Sequence, residues 1–248
     1  MLGGNTVFCV IKIKKVFGIV SAVIGSLLIC ISVIKLFKKE KREIEVFSHF
    51  SEPTYTIIVD AGHGEPDGGA VSKNGVKEAG LNLSIALKLE KALNELGYNV
   101  IMTRNTEENI ADSDKQISIR SMKVSDINNR IKIVNEKFAD MLISIHMNNF
   151  ENPQYYGWQT FYKKNSEESK KIAENVQNGI SKNIARKNDR VALPINGIKL
   201  IDKANIPAII VECGFLSNEE DLRLLLTDEY HEQIVNGIVN GIEKCYEK

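Results

Sequence analysis

The stretch Thr56-Ile57-Ile58-Val59-Asp60-Ala61-Gly62-His63-Gly64 decides the fold. Thr56 to Val59 is a β-branched run without a charge that passes into Asp60-Ala61-Gly62, the pattern of a short buried strand ending in a loop. A strand with no polar alternation is covered on both faces, which is the habit of parallel sheets flanked by helices. His63 then sits at the strand's carboxyl end.

The rest of the chain repeats this alternation. Leu83, Ala86, Leu89, Leu93 and Leu96 recur at helical spacing, and Gly97 offers a stop. Tyr98 to Thr103 is the next expected strand, and Ile127, Ile131, Val134 and Phe138 mark one face of a second helix. Met141 to Ile145 is an apolar run leading straight into His146, and Gly157 to Tyr162 is a further expected strand. Glu167 to Ile184 is amphipathic, and Ala208 to Val211 is a β-branched strand entering Glu212. Ser217 and Glu220 have the spacing of a capping box, and Tyr230, Ile234, Ile238 and Ile242 give a last helix its core face. The expected architecture is a single α/β domain with a mostly parallel mixed sheet of about six strands and helices on both faces, preceded by an N-terminal transmembrane segment.

That segment is read from Val16 to Ile34, which carries no charge and has the length needed to cross a hydrocarbon core of about 30 Å. It is apolar all round, Lys12, Lys14 and Lys15 precede it like the basic region of an export signal, and no A-x-A-like site follows it. An uncleaved anchor is therefore expected. Lys35, Lys38, Lys39, Lys41 and Arg42 outnumber the upstream basic residues, so the positive-inside rule alone would hold the following domain in the cytoplasm. The expected division is a basic region over 1–15, the membrane helix over 16–34, a charged linker over 35–53 and a catalytic domain over 54–248.

The 32 basic residues balance the 32 acidic ones, which leaves no electrostatic footprint for nucleic acid. Cys9, Cys30, Cys213 and Cys245 form neither a disulfide framework nor a CxxC knuckle. Cys213 reads as a small buried hydrophobe, and Trp158 and His231 as packing residues.

Chemistry gathers where the strands end. In open α/β sheets ligands bind at the carboxyl ends of strands, and His63, His146 and Glu212 occupy that position on three of them. Glu78 lies in a glycine-bracketed stretch at the start of the first helix. Singly, such a histidine is a hydrogen-bonding structural group and Glu78 is an acid at a helix N-terminus. Together, two imidazoles and one carboxylate suit Zn²⁺ with a fourth position left open. Glu212, flanked by Val211 and Cys213, is a carboxylate in apolar surroundings that calls for a cation or a proton, and it can carry a proton from water to a leaving amine. Arg130, Asn148 and Asn196 are candidates for substrate or oxyanion contacts. On these residues alone a zinc carboxypeptidase, a membrane-tethered binding scaffold with an inert site and a two-histidine, one-carboxylate iron site also remain open.

The stretches Val59-Asp60-Ala61-Gly62-His63-Gly64, Lys77-Glu78, Thr103-Arg104, Ser144-Ile145-His146-Met147-Asn148 and Pro207 to Asn218 resemble, in order and spacing, the zinc-dependent N-acetylmuramoyl-L-alanine amidases of the amidase-3 type. The resemblance runs from Thr54 nearly to the C-terminus. It implies one Zn²⁺ per chain on His63, Glu78 and His146, with Glu212 catalytic, and hydrolysis of the amide between N-acetylmuramic acid and L-alanine. Glu65 to Val71, Gly157 to Tyr162, the apolar segment and the lack of a wall-binding repeat are similar to the CwlD-type amidases of endospore formers. That narrower likeness implies an extracytoplasmic domain acting between the spore membranes on cortex peptidoglycan, where stem-peptide removal leads to muramic δ-lactam. An accessory protein is among the expected partners. Two departures stand out: Glu65 replaces a glycine common in the family, and the interval from His146 to Glu212 leaves no room for the regulatory helix of division-associated relatives.

Overall fold

The computed structural model describes residues 55–112 and 118–246. Its strands are β1 (Thr56–Ala61), β2 (Asn99–Met102), β3 (Met141–Asn148), β4 (Gln159–Lys163), β5 (Leu193–Ile195) and β6 (Ala208–Phe215). Its helices are α1 (Glu78–Glu95), α2 (Ile119–Glu136), α3 (Glu167–Asn183), α4 (Lys199–Lys203), α5 (Glu219–Leu225) and α6 (Asp228–Tyr246). The strands form one sheet in the order β2-β1-β3-β6-β4-β5. Pairing is parallel from β2 through β6, then β4 runs antiparallel to β6, and β5 is parallel to β4.

The central strands are buried on both faces, which is why they read as unbroken apolar runs. Ile57, Val59, Ile143, Ile145, Ile209 and Val211 point to one face and pack on the apolar stripes of α1, α3 and α6. Ile58, Leu142, Ala208 and Ile210 point to the other, against Val134 of α2 and Leu200 and Ile201 of α4. The seam between α3 and α6 is glycine-built: a Cβ on Gly237 would stand 2.4 Å from the Ile180 Cα, and one on Gly241 2.5 Å from the Val176 Cα. Backbones can approach this closely only where no side chain intervenes.

The expected architecture is corrected at its N-terminal part. No helix among the described residues is long and apolar enough to cross a membrane, so the described fold is the mixed α/β sheet alone. The stretch 16–34 on which that expectation rested, with the flanking 1–15 and 35–53, lies outside the described residues. Local expectations shift too. α1 ends at Glu95 and leaves Leu96 half exposed, while α2 ends at Glu136 and leaves Phe138 fully exposed. The cap of α5 is Asn218, whose side chain accepts from the Asp221 amide, and Ser217 instead accepts from the Phe150 amide. Asparagine caps as well as serine, and here the loop geometry selects the later residue.

Candidate active site

β1 and β3 run in register up to Ala61 beside Ile145, and β3 and β6 up to His146 beside Glu212. Side chains alternate along a strand, so His146 and Glu212 emerge side by side on the face shared with Ser144 and Ile210. His63 lies two residues beyond β1, and Glu78 is the first residue of α1, where the chain returns from the His63 loop. The structure thus brings together His63, Glu78 and His146, whose ligand-type atoms all lie within 4.8 Å of one another. Glu78 is the hub: its Oε1 is 2.9 Å from His146 Nδ1 and its Oε2 3.3 Å from His63 Nε2.

The backbone is shaped to admit these side chains. His63 has φ 61°, a left-handed conformation costly for a residue with a Cβ and typical of functional sites. Gly62 leaves room for a ring, since a Cβ there would sit 2.2 Å from the His146 Cε1. Gly69, at φ 68°, does the same for Glu78 and His63, with only 2.6 Å between a Cβ and the Glu78 Oε2. The amides of Ala70 and Met147 and the side chain of Asn82 also donate to the Glu78 carboxylate.

Burial would lower the pKa of His63, yet hydrogen bonds and charge from Asp67 and Glu78 outweigh it and lift it to about 9. Burial would raise Glu78, but the two imidazoles hold it well below the usual carboxylate range. Glu212 goes the other way. Burial, with the Glu78 charge added, pushes its carboxyl up to about 7 against the pull of His146 and His63. Its Oε2 is shielded from solvent and has no hydrogen-bond partner among the described residues. A donor set of two imidazoles and an ionised carboxylate, beside a buried carboxyl oxygen lacking a partner, fits a divalent cation of the zinc type.

Three supports were not anticipated from the sequence. Asp67 Oδ2 lies 3.1 Å from His63 Nδ1, which turns Nε2 toward Glu78, and Lys123 Nζ lies 2.8 Å from the other Asp67 oxygen. Arg104 donates to the carbonyls of Ala61, Gly62 and Ala79 and so braces the strand end. Arg190 stands at the site's aromatic margin, its Cζ 4.7 Å from the Phe215 ring centre. Asp67 and Arg104 each lay in a quoted motif, an available signal; Arg190 had none.

The substrate candidates fare differently. Arg130 is corrected from a substrate contact to a buried brace, 2 % exposed. Its guanidinium donates to Asp60, Asp126 and the carbonyls of Ala61 and His63, so its N–H groups are spent inside the protein. That pairing, with the Ser144 and Thr103 hydroxyls, brings Asp60 down to about 2 although burial alone would raise it. Asn148 ends β3 and lines a pocket of about 250 Å³ with Phe150, Tyr155, Arg190 and Phe215. Asn196 is exposed after β5, two residues before Ile198, which lines the cleft beside His63 and His146. Burial drives the Cys213 thiol well above its ordinary pKa, which disarms it as a nucleophile. His231 packs with its Nε2 at the Leu225 carbonyl.

Comparison with known proteins sets this geometry in context. The Amidase_3 family pattern, described as N-acetylmuramoyl-L-alanine amidase, matches residues 57–244. A germination-specific N-acetylmuramoyl-L-alanine amidase of Bacillus subtilis is 34% identical over 77% of this chain and 79% of its own length. The CwlD amidase from Clostridioides difficile, solved in complex with the GerS lipoprotein, is 37% identical, with a TM-score of 0.75 over 77% of this chain and 98% of that one. An N-acetylmuramoyl-L-alanine amidase from Clostridium difficile 630 is 29% identical, with a TM-score of 0.68 over 78% of this chain and 97% of that one.

Proposed function

The chain belongs to the N-acetylmuramoyl-L-alanine amidase family, and from that premise we propose that it works with one zinc ion held by His63, Glu78 and His146 and with Glu212 as proton carrier. Its reaction is hydrolysis of the amide between N-acetylmuramic acid and L-alanine in peptidoglycan, a polymer outside the cytoplasmic membrane. The observation that supports the zinc reading is the convergence of three ligand-type side chains within 4.8 Å, next to a carboxyl oxygen with no partner.

When bound there, zinc supplies a Lewis acid that polarises the scissile carbonyl and makes water a stronger acid. Glu212 accepts the proton of the water that attacks the carbonyl carbon, then gives it to the alanine nitrogen as the C–N bond breaks. Burial favours the protonated form of Glu212 and a bound cation would favour the ionised one, so the carboxyl is placed to take up a proton and to release it. Asp67 holds the His63 ring, and Arg130 and Arg104 hold the carbonyls of residues 61–63, so the ligand loop needs no rearrangement to receive the ion. Half-buried Asn148, which lines a pocket, is better placed for a substrate contact than exposed Asn196.

We assign the biological setting to spore cortex, on the likeness to the germination-specific amidase and to CwlD, with muramic δ-lactam as the downstream outcome. An accessory lipoprotein partner is proposed on the same ground. The test is mass spectrometry of cortex muropeptides digested with the purified full chain and zinc. Intact stem peptides and bare glycan are expected, and shortened stems still attached to glycan would show a carboxypeptidase instead. Removing zinc with a chelator and restoring it should abolish and recover the release. Release that survives chelation would end the metal assignment.

A further inference from the structure

Two cations around the site have no carboxylate partner among the described residues: Arg104, whose donors are spent on four backbone carbonyls, and Arg190. Lys77 pairs with Glu65, Lys123 with Asp67, Arg130 with Asp60 and Asp126, and Arg186 with Asp221. Among the described residues no carboxylate pairs with Arg190, which is half-buried. Its Nε donates to the Tyr156 carbonyl at 2.9 Å and its Nη1 to Gln159 Oε1 at 2.9 Å, so the plane is fixed while Nη2 has no partner among the described residues. The plane lies over Phe215 at 4.7 Å and beside Tyr155 at 5.7 Å, in the pocket that Asn148 and Phe150 complete. An arginine oriented by aromatic contact and two hydrogen bonds, with an edge of its fork left over, is preorganised for a planar anion.

The position relative to the reaction is set by register. Gln159 of β4 pairs with Glu212 of β6, and Phe215 is three residues past Glu212 on the same strand. Adjacent strands are about 4.8 Å apart, so the Gln159 backbone stands about one strand spacing from that of Glu212, and the Arg190 guanidinium is held at the end of the Gln159 side chain. The substrate's chemistry then names the partner. Once the lactyl carboxyl of muramic acid is tied up in the amide, the glycan half carries no ionisable group, whereas the stem peptide carries carboxylates. Successive residues span up to about 3.6 Å, which puts a carboxylate on the second stem residue within about 7 Å of the scissile nitrogen.

We propose that Arg190 is a specificity-determining residue that binds the free carboxylate of the second stem-peptide residue, and so fixes which side of the site receives the peptide. This rests on the amidase reading above. The exposed rings of Phe150 and Tyr155 flank the bound residue and keep water from the pair, which strengthens the charge-assisted bond.

The experiment uses the full-length enzyme with zinc and two synthetic muramyl tripeptides that differ only at the second residue, D-isoglutamate in one and D-isoglutamine in the other. The unaltered enzyme is expected to favour the carboxylate substrate by about tenfold in kcat/KM, carried in KM. Arg190→Gln should bring that ratio to about one, and Arg190→Lys, which keeps charge without the fork, should retain part of it. A mere anchoring role for Arg190 would slow both substrates alike and leave the ratio unchanged, which would overturn the proposal. Equal use of the two substrates by the unaltered enzyme would overturn it too, without reliance on any variant's folding. Failure to cleave either substrate would instead count against the reaction assignment.

Discussion

On one face of the sheet α1, α3 and α6 cover Ile57, Val59, Ile145, Ile209 and Val211 with aliphatic stripes and a glycine seam, whereas the other face buries Asp60, Ser144, Arg130 and Asp126 side by side. The first arrangement is how a domain acquires stability, by removing apolar surface from water at close-packed density. The second removes charges from water, an expensive choice whose return is orientation: Arg130 joins the β1 end, α2 and the His63 carbonyl in one network. The molecule keeps its larger packing core on one side of the strands and its positioning network, beside a smaller apolar cluster, on the other.

If this division is right, perturbations should separate. The largest effect is expected from Glu212→Gln, which should cut stem-peptide release by about 10²- to 10⁴-fold while zinc content and unfolding midpoint stay near those of the unaltered protein. Retention of normal turnover would remove Glu212 from the mechanism. Arg130→Met should come next. It strands Asp60 and Asp126 without their shared cation, at a cost of about 3–5 kcal/mol read from urea unfolding, and it should also weaken zinc binding because the His63 carbonyl loses its donor. Gly237→Ala, on the other face, should cost about 1–3 kcal/mol through the clash with Ile180, with turnover per folded molecule unchanged. A matching loss of turnover in that variant would show that the two faces are coupled.

The mildest perturbation, which alters no residue, is a change of pH. In the metal-free protein His63 has its pKa raised to about 9, so below that pH zinc has to displace a proton. Zinc affinity should therefore rise with pH by up to about tenfold per unit toward pH 9 and then level off. Competition titration with a chromophoric chelator measures this directly. An affinity flat between pH 7 and 9 would show that Asp67 and Glu78 do not hold a proton on the ring.

Much of this site was legible from sequence because its signals are local. β-branched or aliphatic runs ending in a polar residue locate β1, β3 and β6; His63 does follow the end of β1, whereas β3 runs on past His146 to Asn148 and β6 past Glu212 to Phe215, so the two lie within their strands. Glu78 was visible at the start of α1, but its near-complete burial was not, since that depends on Gly69 and on two imidazoles, one from the loop after β1 and one from β3. What stayed hidden were relations across long separations. Arg130 looked like any arginine on a helix until Asp60, 70 residues away, arrived beside it. Arg190 depends on Gln159, 31 residues earlier, and on Phe215. Short elements escaped as well: β5 has three residues and α4 five, too few to show a period.

Gly62 carries a practical corollary. Because its missing Cβ is the space in which the His146 ring rests, a single methyl group at residue 62 would evict that ring while leaving every reactive side chain in the sequence. Gly62→Ala is thus a route to a silent enzyme whose chemistry is all present and whose geometry alone is withheld, a control that deleting any one ligand does not provide.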